Sequence, residues 1–218
     1  MNYMENYVTD LLDRMNYTDD RNMEAGYQSS DTISWKAHRE AESLKDAAFI
    51  PLLISFLDKE KDKKKRDKAY FALGHLAKNT NDVTALNFLI KQVEKEKDKY
   101  IISSLLDRIA ALNKPAGTDL HPLLQALKSD KWLIRHSAIQ ALNNSSDAVA
   151  ESTLIELIDT SGDSHDITYS NSVLNKIGTL KAIPSLEKHA NSRKRDVKAS
   201  AKYAIEEILK REKQAADS

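Results

Sequence analysis

Apolar residues recur along the chain with helical spacing, and the segments that carry them come in pairs. Five stretches, among them "AAFIPLLISFLDKEK" and "AVAESTLIELIDTS", have an apolar stripe with a period of about 3.6 residues. A second amphipathic segment follows each stretch after a short polar turn. Pro51, Pro122 and Pro184 fall near the starts of three first segments, where proline is tolerated because that backbone N–H has no helical partner. The pattern predicts five helix pairs.

The second segments share one sequence pattern, visible in "KKRDKAYFALGHL", "KWLIRHSAIQALNNSSD" and "DVKASAKYAIEEI". With Arg135 as the reference, the equivalent positions are 66, 102, 135, 167 and 198, at intervals of 36, 33, 32 and 31 residues. Repeats of this length are typical of helical solenoids. Isoleucine replaces the basic residue at 102 and 167, so we expect any acid–base ladder along the stack to be interrupted.

The segments "DKWLIRHSAIQALNNSSD" and "LNKIGTLKAIPSLEKHA" resemble HEAT repeats, especially the short bacterial kind also found in phycobilin lyase subunits. The resemblance covers about Ala47 to Lys213. It implies an all-α fold, a right-handed α-α superhelix or HEAT-like solenoid of about five helix pairs with an N-terminal helical cap. We therefore predict a cap or degenerate repeat over 1–46, the solenoid over 47–213 and a frayed tail over 214–218.

The N-terminal part is less regular than the rest. An amphipathic helix is predicted from the apolar residues Met4, Tyr7, Val8, Leu11, Leu12 and Met15. The stretch "TDDRNMEAGYQSS" predicts a loop, and "DTISWKAHREAESLK" predicts a further helix. Terminal repeats of a solenoid are usually atypical, because they cover the open end of its core.

Composition narrows the class of protein. The chain has 33 basic and 33 acidic residues and no cysteine, which favours a reducing compartment and disfavours a dedicated nucleic-acid binder. The first residues lack the basic start of a secretory signal, and no apolar run reaches the roughly 20 residues of a membrane helix. We expect a cytoplasmic protein.

The stretch from Lys131 to Asp147 predicts a helix with two contrasting faces. On one face, small and apolar residues allow close packing: Ile134, Ala138, Ala141, Leu142 and Ser145. The opposite face carries Trp132, His136, Ile139 and Asn143. Because the second helix of each pair usually lines the concave side of such a stack, we expect this opposite face to be exposed and to bind a partner. The alternative is that Trp132 packs against the neighbouring repeat.

Equivalent positions in the other repeats extend this face into a strip. The predicted protein-binding residues are Trp132, His136, Ile139, Asn143, Tyr70, Asp67, Thr168, Asn171, Lys202 and Tyr203. Their mixed chemistry suits a protein surface better than a phosphate backbone, which requires a continuous basic track. The expected function is a non-catalytic interaction scaffold of the adaptor, neutraliser (immunity-type) or chaperone-like kind.

Nucleic-acid binding is the alternative function. Arg193, Lys194, Arg195 and Lys198 form a basic cluster near the C-terminus. HEAT-like repeats also form a family of DNA glycosylases that handle alkylated bases in a basic groove, but the resemblance of this chain to that family is confined to the repeats themselves. A second basic run, from Asp58 to Tyr70, contains four acidic residues, so we interpret it as a solvated turn.

No pattern of residues predicts catalysis or a cofactor. The six histidines are scattered, and H-E-x-x-H, Walker and G-x-S-x-G patterns do not occur. The one acidic-histidine cluster, "DTSGDSHD", predicts a turn between helices, with Asp163 or Ser164 as the N-cap residue of the next helix. We expect no enzyme activity, metal or cofactor.

Overall fold

A computed structural model describes residues 3–18 and 28–217. Most of the predicted loop "TDDRNMEAGYQSS" lies outside these residues. The chain divides into two compact units, Met1–Gln92 and Val93–Ser218. The assignment of residues 1–46 to a cap stays a prediction.

Every regular element in the described part of the chain is helical, which confirms the predicted all-α class. The helices are α1 (Tyr3–Met15), α2 (Ile33–Ser43), α3 (Phe49–Lys59), α4 (Lys63–Thr80), α5 (Val83–Lys95), α6 (Lys99–Ala110), α7 (His121–Ala126), α8 (Trp132–Ala141), α9 (Ala148–Thr160), α10 (Ser164–Ile177), α11 (Ile183–Ala190) and α12 (Arg195–Ala216). Short 3₁₀ turns at Ser29–Asp31 and Leu180–Ala182 precede α2 and α11.

The five predicted pairs correspond to α3–α4, α5–α6, α7–α8, α9–α10 and α11–α12. Aspartate begins three of the second helices, because the carboxylates of Asp62, Asp98 and Asp163 accept hydrogen bonds from first-turn N–H groups of α4, α6 and α10. Pro122 and Pro184 lie in the first turns of α7 and α11, as predicted. Sequence periodicity and N-cap chemistry therefore agree on where each pair turns.

In the first unit, α1 packs against α2 and α3, and both α2 and α3 pack against α4. Glu40 of α2 binds α1 through two side chains, accepting hydrogen bonds from Arg14 and from the Tyr7 hydroxyl, each at 2.7 Å. Burial and this hydrogen bond raise the pKa of Tyr7 to about 12. The apolar residues Val8, Leu11, Leu12 and Met15 are buried, which confirms the amphipathic helix predicted there.

In the second unit, the second helices α6, α8, α10 and α12 lie side by side and parallel. Contacts near both ends of each helix fix the direction: Ser103 bonds Ser137 at 2.8 Å, and the Asn144 side chain donates to the Ala110 carbonyl at 3.2 Å. Asn171 likewise donates to Ser200 at 3.0 Å, and Arg211 donates to the Gly178 carbonyl at 2.7 Å. We call these four helices the second-helix layer.

The first helices form the other layer. Asp159 of α9 accepts hydrogen bonds from Ser185 and Lys188 of α11, at 2.7 and 2.9 Å. Between the layers the α8 residues Ile134, Ala138 and Ala141 are all buried, as predicted. Small side chains at these positions let the backbones of the two layers approach closely.

Two helix ends differ from the sequence analysis. α8 ends at Ala141 rather than continuing to Asp147, because Asn144 adopts a left-handed backbone with φ of 56°. Asparagine tolerates this conformation better than most residues. At the other end of the chain, α12 continues to Ala216, so it includes three residues of the predicted frayed tail.

A buried lysine lies in the loop between α6 and α7. The Lys114 side chain is 0% exposed, and its Nζ donates hydrogen bonds to the carbonyl oxygens of Ile109 and Leu112 at 2.9 and 2.7 Å. Burial lowers the pKa of Lys114 to about 7. The Lys114 backbone also joins the loop after α8 as an isolated parallel bridge to Ser145.

No helix within residues 3–18 and 28–217 is both long enough and apolar enough to cross a membrane.

Candidate protein-binding surface

Four aromatic rings cluster on the solvent side of α8 and α10. The His136 ring lies at the centre, with ring-centroid distances of 5.6 Å to Trp132, 5.9 Å to His165 and 4.8 Å to Tyr169. Trp132 and His136 are one turn apart on α8, and His165 and Tyr169 are one turn apart on α10. We call these four residues the aromatic surface.

The aromatic surface is accessible to a partner. Trp132 is 63% exposed, and Tyr169 is 38% exposed. His136 is half-buried beneath them, and the side chain of His165 is 74% exposed. The structure therefore places Trp132 in solvent rather than packed between repeats. Large aromatic side chains held in water on a rigid helix are the residue types that most often anchor protein interfaces.

An ion-pair network beneath the rings fixes α8 against α10. Arg135 donates through Nε to both carboxylate oxygens of Asp166 at 2.9 Å, and through Nη2 to Asp163 at 3.0 Å. Its Nη1 donates to the Ser129 carbonyl at 3.0 Å. Asp166 is nearly completely buried, so this guanidinium provides the charge that the carboxylate needs. The hydrogen bonds that Arg135 donates to Asp166 and Asp163 raise its pKa.

His136 is neutral at physiological pH. Burial lowers the pKa of its imidazole, and this effect outweighs the nearby Asp166 carboxylate. Its Nε2 lies 3.1 Å from Asp166 Oδ1, but the angle does not make a hydrogen bond. Uncharged imidazole packs against the Trp132 and Tyr169 rings without the cost of a desolvated charge.

His136, Asp163 and Asp166 are close enough to be considered as metal ligands. One ligand atom from each lies within 4.8 Å of the others. However, Arg135 occupies oxygens of both carboxylates and offsets one of their two negative charges. A cation at this position would have to displace the guanidinium, so we assign the group to the ion-pair network. Asp163 is also the N-cap residue of α10, as the sequence predicted.

Four of the predicted strip residues are not on the surface. Ile139 and Asn171 are 0% exposed, and Tyr70 and Asn143 are also buried. The expectation that they are exposed was wrong. Asn143 lies beyond the end of α8, and the Asn171 side chain bonds Ser200 in the contact between α10 and α12.

The helical register explains these errors. Tyr70, Leu106, Ile139 and Asn171 are each the eighth residue of a second helix, and all four are buried. A second helix in a stack is covered by its own first helix and by second helices on both sides, so its exposed sector is narrow. The partly exposed residues of α8 include Leu133, His136 and Gln140. On a helical projection with 100° per residue, the centre of this sector lies about 60° from the centre of the face that was predicted to be exposed.

The remaining strip residues are wholly or partly exposed. Asp67 and Thr168 are half-buried, whereas Lys202 and Tyr203 of α12 are exposed. Lys202 is the eighth residue of α12, the position that is buried in the preceding second helices, and α12 is the last helix that the structure describes. Arg193, Lys194, Arg195 and Lys198 are exposed near the start of α12.

Sequence reasoning missed His165 and Tyr169. Both were available in the sequence as an i, i+4 aromatic pair at the start of a second helix, the same pattern as Trp132 and His136. They lie next to Trp132 because α10 packs beside α8. An alignment of the repeats does not show how these two helices are placed relative to each other.

A family model for HEAT repeats matches residues 118–206, which run from just before α7 into α12. Residues 118–206 are therefore similar to HEAT repeats. The aromatic surface lies within this matched segment. A search of curated proteins found no match to this chain.

Solved structures support the repeat fold across the chain. A designed armadillo repeat protein, YIII(Dq)4CqI, is 18% identical with a TM-score of 0.52, and the alignment covers 92% of this chain and 99% of that one. An engineered protein, structural genomics target OR329, is 20% identical with a TM-score of 0.54, covering 96% of this chain and 98% of that one. At this identity the likeness concerns the fold alone: repeated helix pairs in an α-α superhelical arrangement.

Proposed function

We propose that the HEAT repeats form a non-catalytic protein-interaction scaffold that binds its partner through the aromatic surface. The main support for the proposal is that Trp132 is 63% exposed. The helix that carries it, α8, is held to α10 by the ion pairs of Arg135. Repeat solenoids commonly serve as interaction scaffolds, because stacked repeats present an extended and rigid surface.

The chemistry of the aromatic surface favours a protein partner. Tryptophan and tyrosine provide large contact areas with few rotatable bonds, so little conformational entropy is lost on binding. His136 adds a neutral ring beneath them. Tyr203 adds a further aromatic side chain, 58% exposed, on α12. Stable capture of a partner on this surface would suit an adaptor, a chaperone-like binder or a neutraliser of another protein.

Affinity capture from lysate of the source organism tests the proposal. The bait is the full chain, compared with a Trp132→Ala, Tyr169→Ala double variant, and each capture is run with and without nuclease. We expect a stoichiometric protein partner that the wild type retains and the double variant loses. Mass spectrometry then identifies the partner.

Trp35 supplies the matched control. It is the other of the two tryptophans in the chain, and it is 41% exposed on α2 in the first unit. A Trp35→Ala variant should capture the same partner as the wild type. Equal capture by all three baits would contradict the proposed surface. Capture that disappears with nuclease would favour nucleic-acid binding instead.

A further inference from the structure

We infer that the partner docks an acidic polypeptide segment along one edge of the second-helix layer, beside the aromatic surface. The inference rests on the proposed function and specifies the chemistry of its partner. It depends on where the parallel helices bring charged and aromatic residues together.

Because α6, α8, α10 and α12 are parallel and nearly in register, their N-terminal ends meet at one edge of the second unit. Arg135 contacts Asp163 and Asp166 near the starts of α8 and α10, and Ser103 contacts Ser137 in the second turns of α6 and α8. We call this edge the N-terminal edge. The Trp132 side of the aromatic surface borders it.

Basic and aromatic side chains are concentrated on the N-terminal edge. Its exposed residues include Lys99 and Tyr100 at the start of α6, Lys131 and Trp132 at the start of α8, and 193–195 at the start of α12. The ammonium group of Lys99 lies 4.9 Å from the centre of the Tyr100 ring. The edge therefore offers five exposed cations beside two exposed aromatic rings.

The acidic residues of the same edge neutralise only part of this charge. Asp98 and Asp163 cap their own helices, and Asp163 with Asp166 binds Arg135. Asp130 and Asp196 are the exposed acids, and Asp196 lies 4.0 Å from Arg195. Within the described residues no carboxylate lies within 4.0 Å of Lys131, Arg193 or Lys194.

The helix ends strengthen the positive potential. α6 and α10 have aspartate N-caps, but the N-cap residues of α8 and α12 are Lys131 and Lys194, which make no side-chain cap. Asp196 lies in the first turn of α12, whereas the first turn of α8 has no acidic residue, so the positive end of the helix dipole is least compensated at α8. Carboxylates of an incoming chain complement both the lysines and the adjacent N–H groups.

The spacing of the charges favours an acidic polypeptide over nucleic acid. α10 begins with Ser164 and His165 and supplies no lysine or arginine in its first turns, so the basic groups of α8 and α12 are separated by a whole helix. The axes of α8 and α12 are therefore two interhelix spacings apart, about 16–20 Å, whereas a phosphate backbone carries charge continuously. A peptide with a few acidic residues around an apolar one matches two charge clusters flanking Trp132.

Tryptophan fluorescence provides the readout. In a Trp35→Phe background, Trp132 is the remaining tryptophan of the chain. The probes are a glutamate-rich peptide of about 12 residues with central leucine and phenylalanine, the same peptide with lysine for glutamate, and oligothymidylate of about 15 nucleotides. We expect the glutamate peptide to change Trp132 emission saturably and to bind at least about tenfold more tightly than the lysine peptide.

Charge reversal tests the location. Lys131→Glu, Lys194→Glu and Arg195→Glu together should weaken glutamate-peptide binding by at least about tenfold. The matched control reverses three exposed lysines of the first unit, Lys59, Lys61 and Lys64, and should leave the affinity unchanged. Circular dichroism melts of both triple variants establish that each is folded.

Other outcomes overturn the inference and separate it from the proposed function. If both peptides bind equally, the inference of an acidic segment fails but the proposed scaffold function stands. The same holds if neither peptide binds while lysate capture still depends on Trp132. Tighter binding of oligothymidylate than of either peptide, or absence of both peptide binding and lysate capture, overturns the scaffold as well.

Discussion

Two neighbouring contacts of the second-helix layer accommodate a buried charge in opposite ways. Between α8 and α10, the cation of Arg135 is paired with Asp166 and Asp163. Beside the contact of α6 with α8, Lys114 is fully buried and donates to two backbone carbonyls. No carboxylate in the described part of the chain lies within 4.0 Å of its Nζ.

The difference shows that repeats with one architecture can differ in their response to pH. Hydrogen bonding to two carboxylates keeps Arg135 charged, because its pKa is raised further above the physiological range. Burial has the opposite effect on Lys114, whose pKa falls to about 7. The α8–α10 contact should therefore be insensitive to pH near neutrality, and the α6–α8 region should respond to it.

Removing the arginine should have the largest effect. Arg135→Ala leaves the buried Asp166 carboxylate without its cation, and we expect the free energy of unfolding to fall by about 3 kcal/mol. Chemical denaturation at pH 7 measures the change. Arg39→Ala, which removes an exposed pair with Glu42, is the control and should change stability by less than about 0.5 kcal/mol. Equal losses would mean that the Arg135 network does not hold α8 to α10.

Lys114 should produce a smaller effect that depends on pH. Its folded-state pKa of about 7 lies below the ordinary lysine value of 10.5, so the unfolded chain binds more protons between these pH values and stability rises with pH. From pH 7 to 9 the wild type should gain about 2 kcal/mol from this residue. Denaturant titrations at several pH values measure the gain.

A Lys114→Met variant isolates that contribution. Other groups titrate equally in both proteins, so the free energy of unfolding of the wild type minus that of the variant should fall by about 2 kcal/mol on going from pH 9 to pH 7. Parallel curves over this range would show that Lys114 keeps an ordinary pKa in the folded protein.

The neutral contact of α6 with α8 should be less important. Ser103→Ala removes the hydrogen bond to Ser137 and should cost about 1 kcal/mol at any pH between 6 and 9. Thermal melts of this variant beside Arg135→Ala compare the two contacts directly. A loss as large as that of Arg135→Ala would remove the distinction between charged and neutral contacts.

The smallest effect on stability belongs to the exposed tryptophan. Trp132→Ala should change the free energy of unfolding by no more than about 0.5 kcal/mol, since the side chain is largely in water. Differential scanning calorimetry measures it, with Trp35→Ala as the reference. A loss of several kcal/mol would place Trp132 in the structural core and remove it as a binding anchor.

Periodicity predicted the repeat fold well because the helix pairs bury regular apolar stripes. The intervals between Arg66, Arg135 and Lys198 located the second helices, and aspartates such as Asp163 marked where they begin. These signals are local in sequence, so they survive without knowledge of which helices touch. The handedness of the superhelix stays a prediction.

The binding strip was predicted less well, because exposure depends on neighbours from other repeats. Ile139 and Asn171 fall opposite the small-residue face on a helical projection, yet the next second helix covers that side. The sequence left open whether Trp132 is exposed or packed, and the structure places it in solvent. Tyr169 was missed because it reaches the cluster from α10. A single helix projection contains no information about lateral packing.

The backbone of Lys114 has a consequence for how the repeats open. Its N–H donates to the Asn144 carbonyl, and its carbonyl accepts from the Ser146 N–H, both at 2.9 Å. These bonds join the loops that follow α6 and α8, so neither loop can open without breaking both hydrogen bonds to the other loop. In hydrogen-exchange terms, the two repeats form one cooperative unit, and the amides of Lys114 and Ser146 report the same opening event.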